Sequence, residues 1–125
     1  GVPLAVEATA ALLDARLRDA GGTLAAGPAR LLYSMAVVRL VNGVVGFSQK
    51  GKFARSVAAV AAELGLPRLL VDVRHEATHN DLPGLPLLRV AADLAGAWLR
   101  EHYWAAQRRH LRACRRRLCA AAGGR

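Results

Sequence analysis

Apolar residues recur every third or fourth position along most of the chain, and Pro and Gly cut that periodicity into five stretches. Such spacing sets apolar side chains along one face of a helix. Pro3 can open the first stretch, which carries Leu4, Ala8, Leu12 and Ala15 and stops at Gly21-Gly22. Pro28 can open the second, through Leu31, Leu32, Met35, Val38 and Val41. The third places Phe53, Val57, Val60 and Leu64 on one stripe and ends at Gly65, with Pro67 just beyond. The fourth runs from about Arg68 to Asp81 and is closed by Pro83-Gly84. The fifth opens at Pro86 and continues past Trp98 and Trp104 into an arginine-rich tail. Strand-like alternation has one candidate, Leu69-Leu70-Val71, and the polar run that follows argues against it. The pattern predicts an all-α fold, a bundle of about five helices whose short loops make neighbours antiparallel.

Composition sharpens this picture. Hydrophobic residues make up 54% of the 125 but aromatic ones only 5%, so the core must be built from Ala, Leu and Val in closely packed helices. No uninterrupted apolar run approaches the ~20 residues of a membrane span, and no secretory leader opens the chain. The start at Gly1-Val2-Pro3, without Met, reads as a fragment or excised domain. The net charge of +9 is concentrated at one end: residues 1–99 carry +2 and residues 100–125 carry +7. Arg108, Arg109, Arg112, Arg115, Arg116 and Arg117 in that tail suit loose contact with phosphate backbones, or with an acidic partner. The alternative is a solvated helix face. Cys114 and Cys119 form no disulfide framework and are expected to be reduced intracellular thiols. His110 shares a helical face with Cys114, but a zinc site there lacks further ligands.

The segment with chemistry in it is Arg74-His75-Glu76-Ala77-Thr78-His79. Residues four apart on a helix are neighbours, so His75 and His79 project together, and Arg74 is within side-chain reach of the same site. Two imidazoles can divide the work of base and acid near neutral pH, and a guanidinium fork can hold phosphate oxygens as charge builds. RNA carries its own nucleophile in the 2′-hydroxyl, so these three residues would suffice in kind to cut it without a metal. The same residues also match H-E-x-x-H, in which both His bind zinc and Glu76 is the base, with Glu101 as a possible third ligand. A third reading leaves two exposed His with no role. Residue types alone leave all three open. Elsewhere, Gly43 within the second helical stretch suggests a close helix crossing, with Asn42 either a brace for the fourth helix or plain packing. Trp98, Tyr103 and Trp104 could stack on bases, although their helical spacing favours core or interface packing. His102 reads as structural or exposed.

Arg74-x4-His79 resembles the R-x4-H motif of the HEPN ribonucleases, compact helical bundles that act as dimers. Four blocks together resemble the Las-one-like family of pre-ribosomal RNA endonucleases. They are Pro3-Leu4-Ala5-Val6-Glu7-Ala8-Thr9-Ala10, the stretch from Tyr33-Ser34-Met35 to Val41-Asn42-Gly43, the stretch from Leu66-Pro67 through Arg74-His75-Glu76-Ala77-Thr78-His79 to Leu82-Pro83, and Trp98-Leu99 with Tyr103-Trp104 and Gln107. These span about residues 3–107 in the family's order. The resemblance implies a HEPN-type nuclease domain over 1–107, with 108–125 as an Arg-rich helical tail. It implies Arg74, His75 and His79 as the catalytic set, with no cofactor and no metal. It further implies cleavage of pre-rRNA within the second internal transcribed spacer during large-subunit maturation, leaving a 2′,3′-cyclic phosphate and a 5′-hydroxyl. The partners it implies are RNA, a second copy of the chain through the catalytic helix, and a polynucleotide kinase, in the nucleus and nucleolus and not at a membrane. An idle protein-interaction bundle and a zinc hydrolase are the alternatives.

Overall fold

The computed structural model describes residues 2–49, 55–79 and 81–123, and every regular element among them is helical. The elements are α1 (Val2–Ala20), α2 (Ala26–Ser48), α3 (Val57–Glu63), α4 (Arg68–His79), α5 (Leu85–Leu99), a π-helical segment (Arg100–Trp104) and α6 (Ala105–Gly123). The last three are continuous, so the five helical stretches expected are the five observed. Phe53, expected on the α3 stripe, lies outside the described residues. Leu69-Leu70-Val71 begins α4 rather than a strand. Pro28 does not start α2 but falls within its first turn, where a missing N–H costs nothing. Arg100–Trp104 departs from the single α-helix that periodicity predicts there.

α2 is the central helix. Its buried Tyr33, Val37, Leu40, Val41 and Val44 join Leu12 and Ala15 of α1, Val60 of α3, Leu70 and Val73 of α4, and Leu88, Ala91 and Ala95 of α5 in one core. Small side chains let the helices approach closely, and Gly43 shows how closely. A Cβ there would stand 2.4 Å from Leu4 Cδ1 of α1, so the predicted close crossing is present. Counting uninterrupted apolar runs understated α2. By length and composition it is apolar enough to cross a membrane, and half of its most apolar window is buried within the bundle.

Two local devices aim α4. Ahead of it, α3 ends with Gly65 at φ +69°, Leu66 N–H donating to Ala61 O at 2.9 Å and Gly65 N–H to Ala62 O at 3.2 Å. This doubly bonded C-terminal cap buries Leu66 and reverses the chain, and Pro67 then leads into α4. Gly65→Ala forces a side chain into the left-handed region and is expected to lower stability by about 1–2 kcal/mol, read from urea unfolding. An unchanged midpoint would show that this cap is not holding the turn. Behind α4, the Arg30 guanidinium of α2 donates to Pro83 O at 2.9 Å and to Leu82 O. The entry and the exit of α4 are both fixed.

The far end of α1 is tied by a small polar network. Arg89 of α5 donates to both Asp19 oxygens, at 2.9 and 3.0 Å, and the buried Tyr33 hydroxyl donates to Asp19 at 2.6 Å. The Arg89 bonds, then the Tyr33 bond, hold the Asp19 carboxyl down to about 2. Burial, then the bond to Asp19, pushes the Tyr33 phenol up to about 12. Because the Asp19 value is depressed on folding, its stabilisation is complete above the ordinary carboxylate range, about pH 4. It is lost as pH falls through about 2. Against Asp19→Asn, the wild-type advantage in thermal midpoint is therefore expected to be constant above about pH 4 and to shrink below it. A gap that persists undiminished at pH 2 would contradict this.

Candidate active site

α4 carries its apolar residues Leu70, Val71 and Val73 into the bundle, which turns its other side outward. On that side His75 and His79 are exposed, one turn apart, with ring centroids separated by 4.6 Å at an angle of 51°. The expected pairing of the two imidazoles is thus present. Thr78, between them, donates its hydroxyl back to Arg74 O at 2.8 Å and lies 3.3 Å from His75 O, so it is engaged with the helix backbone. Arg74 is half-buried against α2, where its Nε–H donates to Asn42 Oδ1 at 2.5 Å. Among the described residues, no carboxylate makes an ion pair with Arg74. The arrangement offers two exposed imidazoles one turn apart and, on the same helix, a guanidinium held against α2.

That surface is open. Four cavities beside α1, of about 180 to 450 Å³, are lined by other residues, among them Leu4, Leu40, Trp98 and Trp104. The zinc reading fares differently from the histidine pairing. Among the described residues, no three His, Cys, Asp or Glu side chains gather as a metal-ligand set, so His75 and His79 are not joined by Glu101. His110 Nε2 and Cys114 Sγ are 3.6 Å apart on the exposed face of α6 with no third ligand among those residues.

The aromatic residues serve packing. Trp98 Nε1–H donates to Leu64 O at 3.3 Å, Trp104 Nε1–H donates to Thr9 Oγ1 at 2.9 Å, and Tyr103 meets Trp104 edge-on at 4.7 Å. All three are half-buried against the core. His102 is exposed and stacks on Trp98 at 4.8 Å. Arg108, Arg109, Arg112, Arg115, Arg116 and Arg117 are all exposed on α6, which buries no residue, and none is ion-paired among the described residues. Sequence reasoning missed Arg30. Its one signal was being a charged residue, with only Arg39 for company, in a mostly apolar helix.

A family model described as Las1-like matches residues 1–106. Protein LAS1 of Saccharomyces cerevisiae is 46% identical over 96 residues, covering 76% of this chain and 19% of the relative. The pre-rRNA-processing protein las1 of Schizosaccharomyces pombe is 33% identical over 103 residues, covering 82% and 21%. The ribosomal biogenesis protein LAS1L of Mus musculus is 37% identical over 107 residues, covering 85% and 14%. The chain spans about a fifth or less of the length of the curated relatives it matches.

Proposed function

We propose that this chain, which belongs to the Las1-like family, is an endoribonuclease of HEPN type that acts in pre-rRNA processing, with Arg74, His75 and His79 as its catalytic residues. The observation that carries this reading is the exposed pair His75 and His79, rings 4.6 Å apart, on the helix that also holds Arg74 with its charge uncancelled. One imidazole takes the proton of the 2′-hydroxyl, whose oxygen then attacks the adjacent phosphorus. The other gives a proton to the departing 5′-oxygen. The P–O5′ bond breaks, leaving a 2′,3′-cyclic phosphate and a 5′-hydroxyl. Arg74 holds the non-bridging oxygens while charge accumulates on them, in a step where removing one donor costs about 3 kcal/mol.

In this reading residues 1–107 form the nuclease body and 108–125 an extension that holds RNA loosely. The wider assignments are cleavage within the second internal transcribed spacer, a homodimer through α4, a polynucleotide kinase partner that consumes the 5′-hydroxyl, and a nuclear, nucleolar setting. The direct test is cleavage of spacer RNA with and without chelator, followed by analysis of the ends. Cyclic-phosphate and 5′-hydroxyl ends that survive chelation are expected. Ends bearing 5′-phosphate, or activity removed by chelator and restored by zinc, would overturn the proposal. Glu76→Gln is expected to keep most activity, whereas a zinc hydrolase would lose its base.

The arginine extension gives a separate expectation. Truncation after Gln107 should weaken RNA binding and flatten its dependence on salt, by about 0.7 in log–log slope for each phosphate of a single strand that the protein no longer neutralises. Cleavage of saturating RNA should survive. An unchanged slope would assign the extension to a protein partner instead.

A further inference from the structure

We infer that Asn42 is a positioning residue for Arg74, and that it selects which edge of the guanidinium meets the phosphate. The inference rests on the reading of Arg74 as the phosphate-holding group. The two residues are 32 positions apart in sequence, on α2 and α4, and are joined by Arg74 Nε–H donating to Asn42 Oδ1 at 2.5 Å. A guanidinium has five N–H donors: one on Nε and two on each Nη. Committing the Nε–H leaves both Nη groups, so the phosphate is taken end-on by the Nη1–Nη2 edge rather than side-on through Nε. A side chain with this much rotamer freedom would otherwise have to be ordered during each turnover.

The chemistry of the acceptor matters as much as its place. An arginine that holds phosphate keeps more of its charge for the substrate when its anchor is neutral. Among the described residues, the helix-to-helix arginine anchors Arg16–Asp93, Arg39–Glu7 and Arg89–Asp19 use carboxylates, while Arg30 uses the backbone carbonyls beyond α4. Arg74 instead has an amide, which accepts one hydrogen bond and leaves the full positive charge for the substrate. The platform under Asn42 is firm. Val41, Val44 and Val45 around it are buried, and Gly43 next to it lets Leu4 of α1 seat where a Cβ would stand. Asn42 itself is exposed, so no packing requirement explains an amide at this position.

The test uses the 125-residue chain, 15N-labelled, with cleavage of spacer RNA measured alongside. The Arg74 Nε–H signal, assigned by its disappearance in Arg74→Lys, is expected to exchange slowly in wild type and to join the exposed arginines in Asn42→Ala. The same substitution should lower kcat roughly tenfold or more with little change in KM. Its thermal midpoint should be equal or higher, because Ala is the better helix former at an exposed site. Asn42→Asp should keep the Nε–H signal yet cleave poorly, since its carboxylate offsets the guanidinium charge. Wild-type kcat in Asn42→Ala, an unmoved Nε–H signal, or a loss of activity that merely follows a lowered midpoint would overturn the inference. Arg74→Ala separates it from the reading beneath. If Arg74→Ala is inactive while Asn42→Ala is not, only the role of Asn42 falls. If Arg74→Ala cleaves like wild type, the site assignment falls and takes the positioning role with it.

Discussion

His79→Ala is expected to reduce RNA cleavage by at least ~10², the scale of one positioned proton transfer, with almost no change in stability. The second half of that statement makes the first interpretable. His79 is exposed in the last turn of α4, so its removal opens no cavity and strands no buried group. Arg74→Lys should fail as well. A lysine has no Nε–H for Asn42 and no planar pair of donors, so it gives up both the anchor and the end-on grip. Single-turnover cleavage at saturating RNA, with thermal midpoints measured in parallel, separates chemistry from binding and from folding. Retained cleavage in either variant at an unchanged midpoint would show that the site is misassigned.

The second large effect is expected from mixing two inactive chains. His75 and His79 stand on an open helix surface, which does not enclose a phosphate. Two copies related by a two-fold axis can face these helices across a cleft, bringing four imidazoles and two guanidiniums to one substrate. The adjoining side of α2 is suited to such a contact. Leu31 and Met35, 60% and 57% exposed, share a helical face with Asn42 and give that edge an apolar flank. An Arg74→Ala chain mixed with a His79→Ala chain is therefore expected to regain part of the activity that each lacks alone. The intact Arg and the intact His79 then come from different copies. The mixture staying as inactive as its components, or full specific activity in a species that sedimentation shows to be monomeric, would rule out the shared site.

What the sequence made legible follows from the range of each interaction. Pro3, Gly21-Gly22, Gly65 and Pro83 act on the backbone within a few residues, and the helix limits they announce are found within a few residues of where they stand. His75 and His79 are one turn apart, so helix geometry alone brings them together. The H-E-x-x-H match depends for its suggested third ligand on Glu101, which no local rule brings near, and no group of three such ligands gathers among the described residues. The interactions that orient the site were harder to read. Arg30 reaches Leu82 and Pro83 from 52 and 53 positions away, and the anchor of Arg74 is 32 away. Such pairings depend on the packing of α2 against α4, which periodicity does not specify. The π segment left no mark either, since Arg100-Glu101-His102-Tyr103-Trp104 contains no Pro or Gly to announce it.

That segment makes the bearing of α6 sensitive to a one-residue insertion or deletion. A π turn holds one more residue than the α turn it replaces. Here it follows one tryptophan and ends on another, and both are fastened to the bundle, Trp98 to Leu64 and Trp104 to Thr9. It works as a phase adjuster: the extra residue rotates everything downstream by about 100°, the step of one α-helical residue. Losing a single codon there would leave the core residues of α1 to α5 unaltered. It would also swing the whole arginine array to a new bearing and force one tryptophan to release its partner. The bundle and the basic helix can therefore be re-aimed relative to each other by one insertion or deletion, without any substitution in either.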